Sequence, residues 1–315
     1  MQVLNRSNSF AAILIAVAVL VAVMSLSGCG GSSAQAQNKE ASSVDWDAVG
    51  EAMGKEGEQM AGDVYRINMP RSDLSVTSQG VDIKPGLALG SYAAFKQTGE
   101  NEAMVMGDLV LTEDEYNPVI DRLQEGGIEQ TAIHKHLLDE SPAIWWTHIH
   151  GQGDPVELAQ TIRAALDLSG TPLSASGGGS SEDLGLDTQQ LDDIIGHTGK
   201  SEGGIYKYNI GRAEEVTTED GTSLNAPMGV ATALNFQPTG EGQAAINGDF
   251  VMTAEEVNPV IRALRQNGIK VVSLHNHGLD EEPRLFYMHF WANDDAATLA
   301  QGLRAALDQT NSATG

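Results

Sequence analysis

His134 and His136 form a His-x-His pair, and His148 follows; the same arrangement recurs 141 residues later as His275, His277 and His289. Seven of the eight histidines in the chain fall in these two segments, His150 being the seventh. Imidazole nitrogen binds zinc at about 2.0–2.1 Å, and three such ligands leave a position for water or substrate. The spacing points to a three-histidine metal site in each copy, with zinc first among the ions. Copper, nickel and iron accept the same donors. The competing readings are a metal-free polar cluster and a general acid–base pair. A single His-x-His says little; the third histidine at fixed spacing, and the repetition of the whole, say more.

Glu140 and Glu281 extend each motif to His-x-His-x-x-x-Glu. They are the candidate catalytic residues. Each could be a fourth ligand, orient a ligand imidazole through a hydrogen bond, or act as general base on a bound water. Asp139 and Asp280 beside them fit a solvated turn instead. His150 shares the face of His148, but Trp291 stands at its position in the second copy, which sets it apart from the other six. Asp108 and Asp249, each after a glycine at a strand, could reach the site or cap a turn. Arg71 and Arg212 also correspond, and could hold an anionic substrate or neutralise nearby acid.

These residues need a scaffold that brings them together. Side chains alternate between the faces of a strand, so His134 and His136 point the same way. Residues 137–142 are enough to turn the chain back, which places His148 on the neighbouring antiparallel strand. With residue 134 or 136 opposite 148, facing Cβ atoms lie about 5 Å apart. Before each histidine strand, Thr112 with Glu115 and Thr253 with Glu256 form capping boxes that start a helix. Pro118 and Pro259 either kink that helix or mark a restart capped by Asn117 and Asn258. Amphipathic segments open the copies at 46–60 and 191–197, and 63–69, 87–96 and 103–111 read as strands. A last helix spans about 155–168, capped by Asp154, and Asp294 and Asp295 stand near the same place in the second copy. The expected fold class is α+β: two tandem homologous domains, each a mainly antiparallel sheet with flanking helices and a histidine-bearing β-hairpin.

The duplication runs beyond the histidines. Gly107-Asp108 matches Gly248-Asp249, Asn117-Pro118-Val119-Ile120 matches Asn258-Pro259-Val260-Ile261, and Asp139-Glu140 matches Asp280-Glu281, all at one offset. Two related units suggest a pseudo-symmetric pair. They occupy 45–170 and 188–315, joined by a Gly/Ser-rich linker at 171–187.

The chain opens on a targeting segment. Arg6 precedes an apolar run over 10–24, and Leu26-Ser27-Gly28-Cys29 reads as a lipobox. The run is short for a spanning helix, which takes about 20 residues. The expectation is a lipoprotein signal peptide over 1–28, lipidation at Cys29 and a flexible tether over 29–44. The protein would be exported and lipid-anchored to the bacterial cell envelope, at the periplasmic or outer surface. Cys29 is the only cysteine, which rules out an intramolecular disulfide. A net charge of −25 disfavours nucleic acid and anionic lipid headgroups as partners and keeps a tethered protein soluble. Membrane contact would run through the lipid, leaving a metal or small molecule as the ligand.

The hairpin resembles the cupin motif, and also the acetolactate decarboxylases, whose zinc is held by His-x-His and a later histidine. The cupin likeness stops at the surroundings, since a capped helix ends just before the histidine strand. A closer resemblance covers nearly all of the mature chain. Pro70-Arg71-Ser72-Asp73-Leu74, the segment 104–111, Leu274-His275-Asn276-His277 and the segment 283–291 look like the LppY/LpqO lipoprotein family, built from a bacterial domain of unknown function often present in tandem. This resemblance implies secretion and lipid anchoring, and no established activity. The first copy departs from the pattern at Lys135, Ala143 and Ile144. Two functions follow from these residues: metal-dependent hydrolysis or carbonyl chemistry, and, as the alternative, a non-enzymatic metal- or small-ligand-binding surface lipoprotein. A structural protein with inert histidines is a third.

Overall fold

The computed structural model describes residues 44–174 and 183–314. The expected signal peptide, Cys29 and the expected tether up to residue 43 lie outside the described residues, as does 175–182 of the expected linker. Among the described residues no helix is long and apolar enough to cross a membrane.

The first repeat runs α1 (Trp46–Met53), β1 (Glu58–Met60), β2 (Val64–Pro70), β3 (Gly90–Gly99), β4 (Glu102–Thr112), α2 (Glu113–Glu125), β5 (Glu129–His134), β6 (Ile144–Gly153) and α3 (Pro155–Leu166). The second repeats it as α4 (Thr188–Ile195), β7 (Lys200–Glu202), β8 (Ile205–Ile210), β9 (Thr232–Gly240), β10 (Gln243–Met252), α5 (Ala254–Gln266), β11 (Lys270–His275), β12 (Phe286–Asp295) and α6 (Ala296–Leu307). Each repeat builds one antiparallel six-stranded sheet, in the orders β1-β2-β3-β4-β6-β5 and β7-β8-β9-β10-β12-β11. The fold class is α+β, with two matching copies.

Local chemistry explains most boundaries. Thr112 and Glu115, and Thr253 and Glu256, form complete capping boxes, and both helices run through their prolines without restarting at Asn117 or Asn258. Asp154 and Asp295 cap α3 and α6. The opening segment 46–60 is not one helix: Gly54 ends α1 in the left-handed region, and 58–60 is a strand.

Both faces of each sheet are covered. Val105, Leu109 and Leu111 of β4 pack with Val49, Val119, Leu158 and Ile162 from the helices of the same repeat. The alternate residues Met104, Met106 and Val110 face the other repeat, in two apolar clusters shared by both sheets. The layers are therefore helices, sheet, sheet, helices. Double-sided burial is why β4 reads as an almost unbroken apolar run rather than an alternating one. Along β4 the seam-facing series is Met106, Asp108, Val110, so the carboxylate lies between one shared cluster and the other. On β10 the order is reversed: Ala245 belongs to the cluster of Val110, and Val251 to that of Met106, with Asp249 between.

A buried arginine locks each repeat. Arg71 donates to both oxygens of Asp73, to both oxygens of Glu115 and to the Val110 carbonyl, while only 1% exposed. Glu115 also accepts from the Thr112 and Gly170 amides. Arg212 repeats this with Glu214, Glu256 and the Val251 carbonyl. Strand end, helix start and the end of each repeat thus meet at one guanidinium, which serves the local acid. Removing one partner of such a buried network strands the other charges and costs about 3–5 kcal/mol. Arg71→Met or Arg212→Met is expected to lower unfolding stability by that amount in denaturant titration. Arg122→Met, which breaks an exposed pair with Glu125, should cost under about 1 kcal/mol.

Candidate metal centre

The two hairpins end in the seam. Strands β5 and β11 stop at His134 and His275, and His136 and His277 lie just past them. Within the first hairpin, His134 faces Trp146 and Ala132 faces His148. That is two residues from the expected register, so the histidines keep their common face. A small sheet of Val76–Ser78, Val81–Ile83 and Glu140–Ser141 clamps the first loop, and Ser78 donates to the Leu138 carbonyl.

The six histidines do not form two centres isolated in their own repeats; they form one cluster across the seam. His134 and His275 stack at its middle, ring centroids 3.9 Å apart. His136 lies 3.8 Å from His289, and His148 lies 3.8 Å from His277. Two carboxylates join them: Asp108 Oδ2 is 3.2 Å from His136 Nε2, and Asp249 Oδ2 is 3.0 Å from His277 Nε2. The reason for the pooling is the layer order. The face that carries the histidines is the one each repeat turns toward the other.

Backbone carbonyls set the tautomers. His148 Nδ1 faces the Gly107 carbonyl at 3.2 Å, His289 Nδ1 the Gly248 carbonyl at 2.7 Å, and His277 Nδ1 the Gly229 carbonyl at 3.0 Å. A carbonyl only accepts, so each Nδ1 carries the proton and Nε2 presents its lone pair to the centre. The glycine before each aspartate is required by space: a Cβ at Gly248 would meet the Ala233 carbonyl at 1.9 Å, and one at Gly107 the Tyr92 carbonyl at 2.4 Å. Trp146 stacks on His136 and Tyr287 on His277, fixing the outer ring of each pair.

Eight buried polar atoms of this cluster have no hydrogen-bond partner: Asp108 Oδ1, His134 Nδ1, His148 Nε2, Asp249 Oδ1, both nitrogens of His275, His277 Nε2 and His289 Nε2. Three sets have ligand atoms within 4.8 Å of one another: His134, His148 and His275; His134, His136 and His289; and Asp249, His275 and His277. These groups could hold a metal ion. Two nitrogens on one tetrahedral zinc stand roughly 3.3 Å apart for bonds of about 2.05 Å. His134 Nε2 and His136 Nε2 are 2.9 Å apart, close to that spacing.

The glutamates sit elsewhere. Glu140 accepts from Lys135 Nζ at 2.5 Å and from the Ile144 amide at 3.3 Å. Glu281 accepts from Arg284 and from the Leu285 amide at 3.0 Å. Neither belongs to a converging set. His150 pairs with Glu129 at 3.8 Å, outside the cluster. Arg71 and Arg212 are spent on their own acids. The shared Gly-Asp was the signal for Asp108 and Asp249; nothing in the pattern marked Trp146 or Tyr287 as ring supports.

Burial holds His134, His136, His148 and His275 well below the usual imidazole value, and the neighbouring imidazoles add to this. Burial also lowers His289, against the pull of Asp249. Asp108 is pushed well above the usual carboxylate value, first by burial and then by Asp249, with Arg66 opposing. An unfolded imidazole titrates near 6.5. Below that value the unfolded chain takes up protons that the five folded imidazoles refuse, so stability is lost as pH falls. Asp108 acts in the opposite sense, its contribution fading as pH rises through its folded value, but it is one group against five. The chelator-treated chain should therefore melt at lower temperature at pH 5.5 than at pH 7.5, and His134→Gln with His275→Gln should flatten the difference. An unchanged melting temperature across that range would contradict the burial of neutral imidazoles.

Residues 47–168 and 189–309 each match the family described as Domain of Unknown Function (DUF1259). No curated protein matches the chain. Among solved structures, a trimeric bacterial microcompartment shell protein, PduB, is 14% identical over 82% of this chain and 96% of that one, with a TM-score of 0.22. EtuB from Clostridium kluyveri is 10% identical over 80% of this chain and 91% of its own, with a TM-score of 0.19. EutL from Clostridium perfringens is 10% identical over 81% and 94%, with a TM-score of 0.17. Likeness at this level does not identify a fold. The match over both repeats does identify the family: the chain belongs to the proteins built from the domain of unknown function DUF1259, and carries two copies of it in tandem.

Proposed function

We propose that this is an exported protein, lipid-anchored to the bacterial cell envelope through Cys29, whose two repeats hold divalent metal between them. The donor set of imidazole and carboxylate suits zinc best. One observation carries the metal reading: eight unpartnered buried atoms, all donors of the same few ligand types, in one place. An unpaired buried polar group costs about 1–3 kcal/mol, and natural folds keep few of them. A cation would satisfy the nitrogens and neutralise the carboxylates together.

Export rests on the lipobox at Leu26-Ser27-Gly28-Cys29, and the segments 70–74, 104–111, 274–277 and 283–291 support membership of the LppY/LpqO lipoproteins. Bound metal would supply Lewis acidity or an activated water, which suits hydrolysis or carbonyl chemistry. Metal binding without catalysis is the second reading. It is favoured by the burial of the donors, since five of the six histidines are at most 9% exposed and leave little approach for a substrate.

Metal analysis of the purified chain tests the reading. Tightly held ion, and a melting temperature that rises on adding zinc to stripped protein, are expected; metal-free protein indifferent to zinc and copper would end it. Glu140→Gln and Glu281→Gln should leave the ion content unchanged, because Lys135 and Arg284 hold those carboxylates. A fall in metal in either variant would make it a ligand. For the anchor, Cys29→Ser should abolish palmitate labelling and move the protein from the membrane to the soluble fraction; retained labelling would refute lipidation there.

A further inference from the structure

We infer that the two His-x-His pairs exchange their third histidine, so that each repeat completes the metal site of the other. This rests on the metal reading above and specifies its stoichiometry and wiring. One site consists of His134, His136 and Asp108 from the first repeat with His289 from the second. The other consists of His275, His277 and Asp249 from the second repeat with His148 from the first.

Four observations carry it. His134, His136 and His289, from both repeats, have ligand atoms within 4.8 Å of one another; Asp249, His275 and His277 of the second repeat do too, and His148 converges with His275 and His134. The ring contacts that close the two sites are matched: His136 to His289 at 3.8 Å and 34°, His148 to His277 at 3.8 Å and 35°. The ring contacts of each third histidine within its own repeat are longer, His134 to His148 at 4.9 Å and His275 to His289 at 4.8 Å. The carbonyl-bound Nδ1 atoms of His148 and His289 leave their Nε2 atoms buried and unpartnered.

The loops that carry the pairs are also held from across the seam. Asn247 donates to the His136 carbonyl at 2.6 Å and Ser273 to the Lys135 carbonyl at 2.7 Å. Thr131 donates to the His277 carbonyl at 2.6 Å, and Asn276 to the Thr131 carbonyl at 2.9 Å. Each His-x-His is thus positioned by the repeat that supplies its third ligand. His134 and His275, stacked at 3.9 Å, separate the two sites. The rival arrangement is one midline ion on His134, His148 and His275, which also converge.

Paired substitutions tell the arrangements apart. The purified zinc-loaded chain should carry two ions, counted by native mass spectrometry. His136→Ala with His289→Ala removes two ligands of one exchanged site, and one ion should remain. His136→Ala with His148→Ala damages both sites, and both ions should go. Sites confined to single repeats give the reverse: one ion kept by the 136/148 pair and none by the 136/289 pair. Glutamine at the same positions keeps the side-chain volume where an alanine pair fails to fold, and circular dichroism reports the fold in each case. A wild-type count of one overturns the exchange in favour of the midline ion. A count of none overturns the metal reading itself.

Discussion

A carboxylate buried between two sheets must be neutralised, and that requirement governs the seam of this protein. Asp108 and Asp249 lie there with six imidazoles, between two apolar clusters that exclude water. Moving a charge of that size out of water costs several kcal/mol even after relaxation. Neutral imidazoles accept or donate hydrogen bonds but do not cancel a charge. The raised proton affinity of Asp108 is what the seam does to a carboxylate left to itself. A divalent cation would resolve the same problem by satisfying carboxylate and imidazole lone pairs at once, so the electrostatic defect and the proposed binding site coincide.

The same seam makes the two repeats depend on each other. The helices of each repeat cover only the outer face of its sheet, through residues such as Val49, Leu158 and Ile162 in the first. The inner faces carry Met104, Met106 and Val110 on one side and Ala245, Val251 and Tyr287 on the other, and these bury only against the opposite sheet. The reversed order of clusters along β4 and β10 is the mark of a pseudo-two-fold relation. Under such a relation any residue near the axis meets its own counterpart, which is why His134 stacks on His275. A separated repeat would expose both the apolar clusters and the polar centre.

Much of this was legible in the residues. Capping boxes, the cap at Asp154 and the duplication gave helices, order and fold class because each is a local signal with a short reach. The histidines were legible as a group because a repeated spacing survives divergence around it. Their sharing across the seam was not, since facing of the two sheets is a long-range choice that no single strand encodes. The buried inner face of β4 was the trace of it: Met104 and Met106 alternate with Val105 where a half-exposed strand would show polar residues. Asp108 carried two readings for the same reason, as a lone polar residue in an apolar series can cap a turn as well as reach a site. Glu140 and Glu281 stand in the hairpin loops outside the converging sets, and Lys135, the departure in the first copy, pairs with Glu140.

The donors are identical in the two halves, but what covers them is not. Trp146 lies on His136, and its indole nitrogen donates to the Ala88 carbonyl, closing that side with apolar surface. On the other side Tyr287 lies on His277, and the guanidinium of Arg66 rests 3.6 Å over the ring of Tyr92. Burial pushes the Tyr92 phenol up to about 12, so it remains a protonated donor at neutral pH. Gly229, in the left-handed region at φ 92, lets that phenol approach where a Cβ would lie 2.4 Å from its oxygen. Ala88, Ala233 and Lys207 stand at the counterpart positions of Gly229, Tyr92 and Arg66, so no second phenol and guanidinium mirror this pair. Arg66 lies over the Tyr92 ring and donates to the Pro227 carbonyl, whereas Lys207 pairs with Glu202, so a cation in each half would meet a different local field. Equal ligands in unequal fields cannot have equal affinities. The duplication therefore keeps the same histidines and aspartates in both halves while their surroundings form two distinct chemical environments.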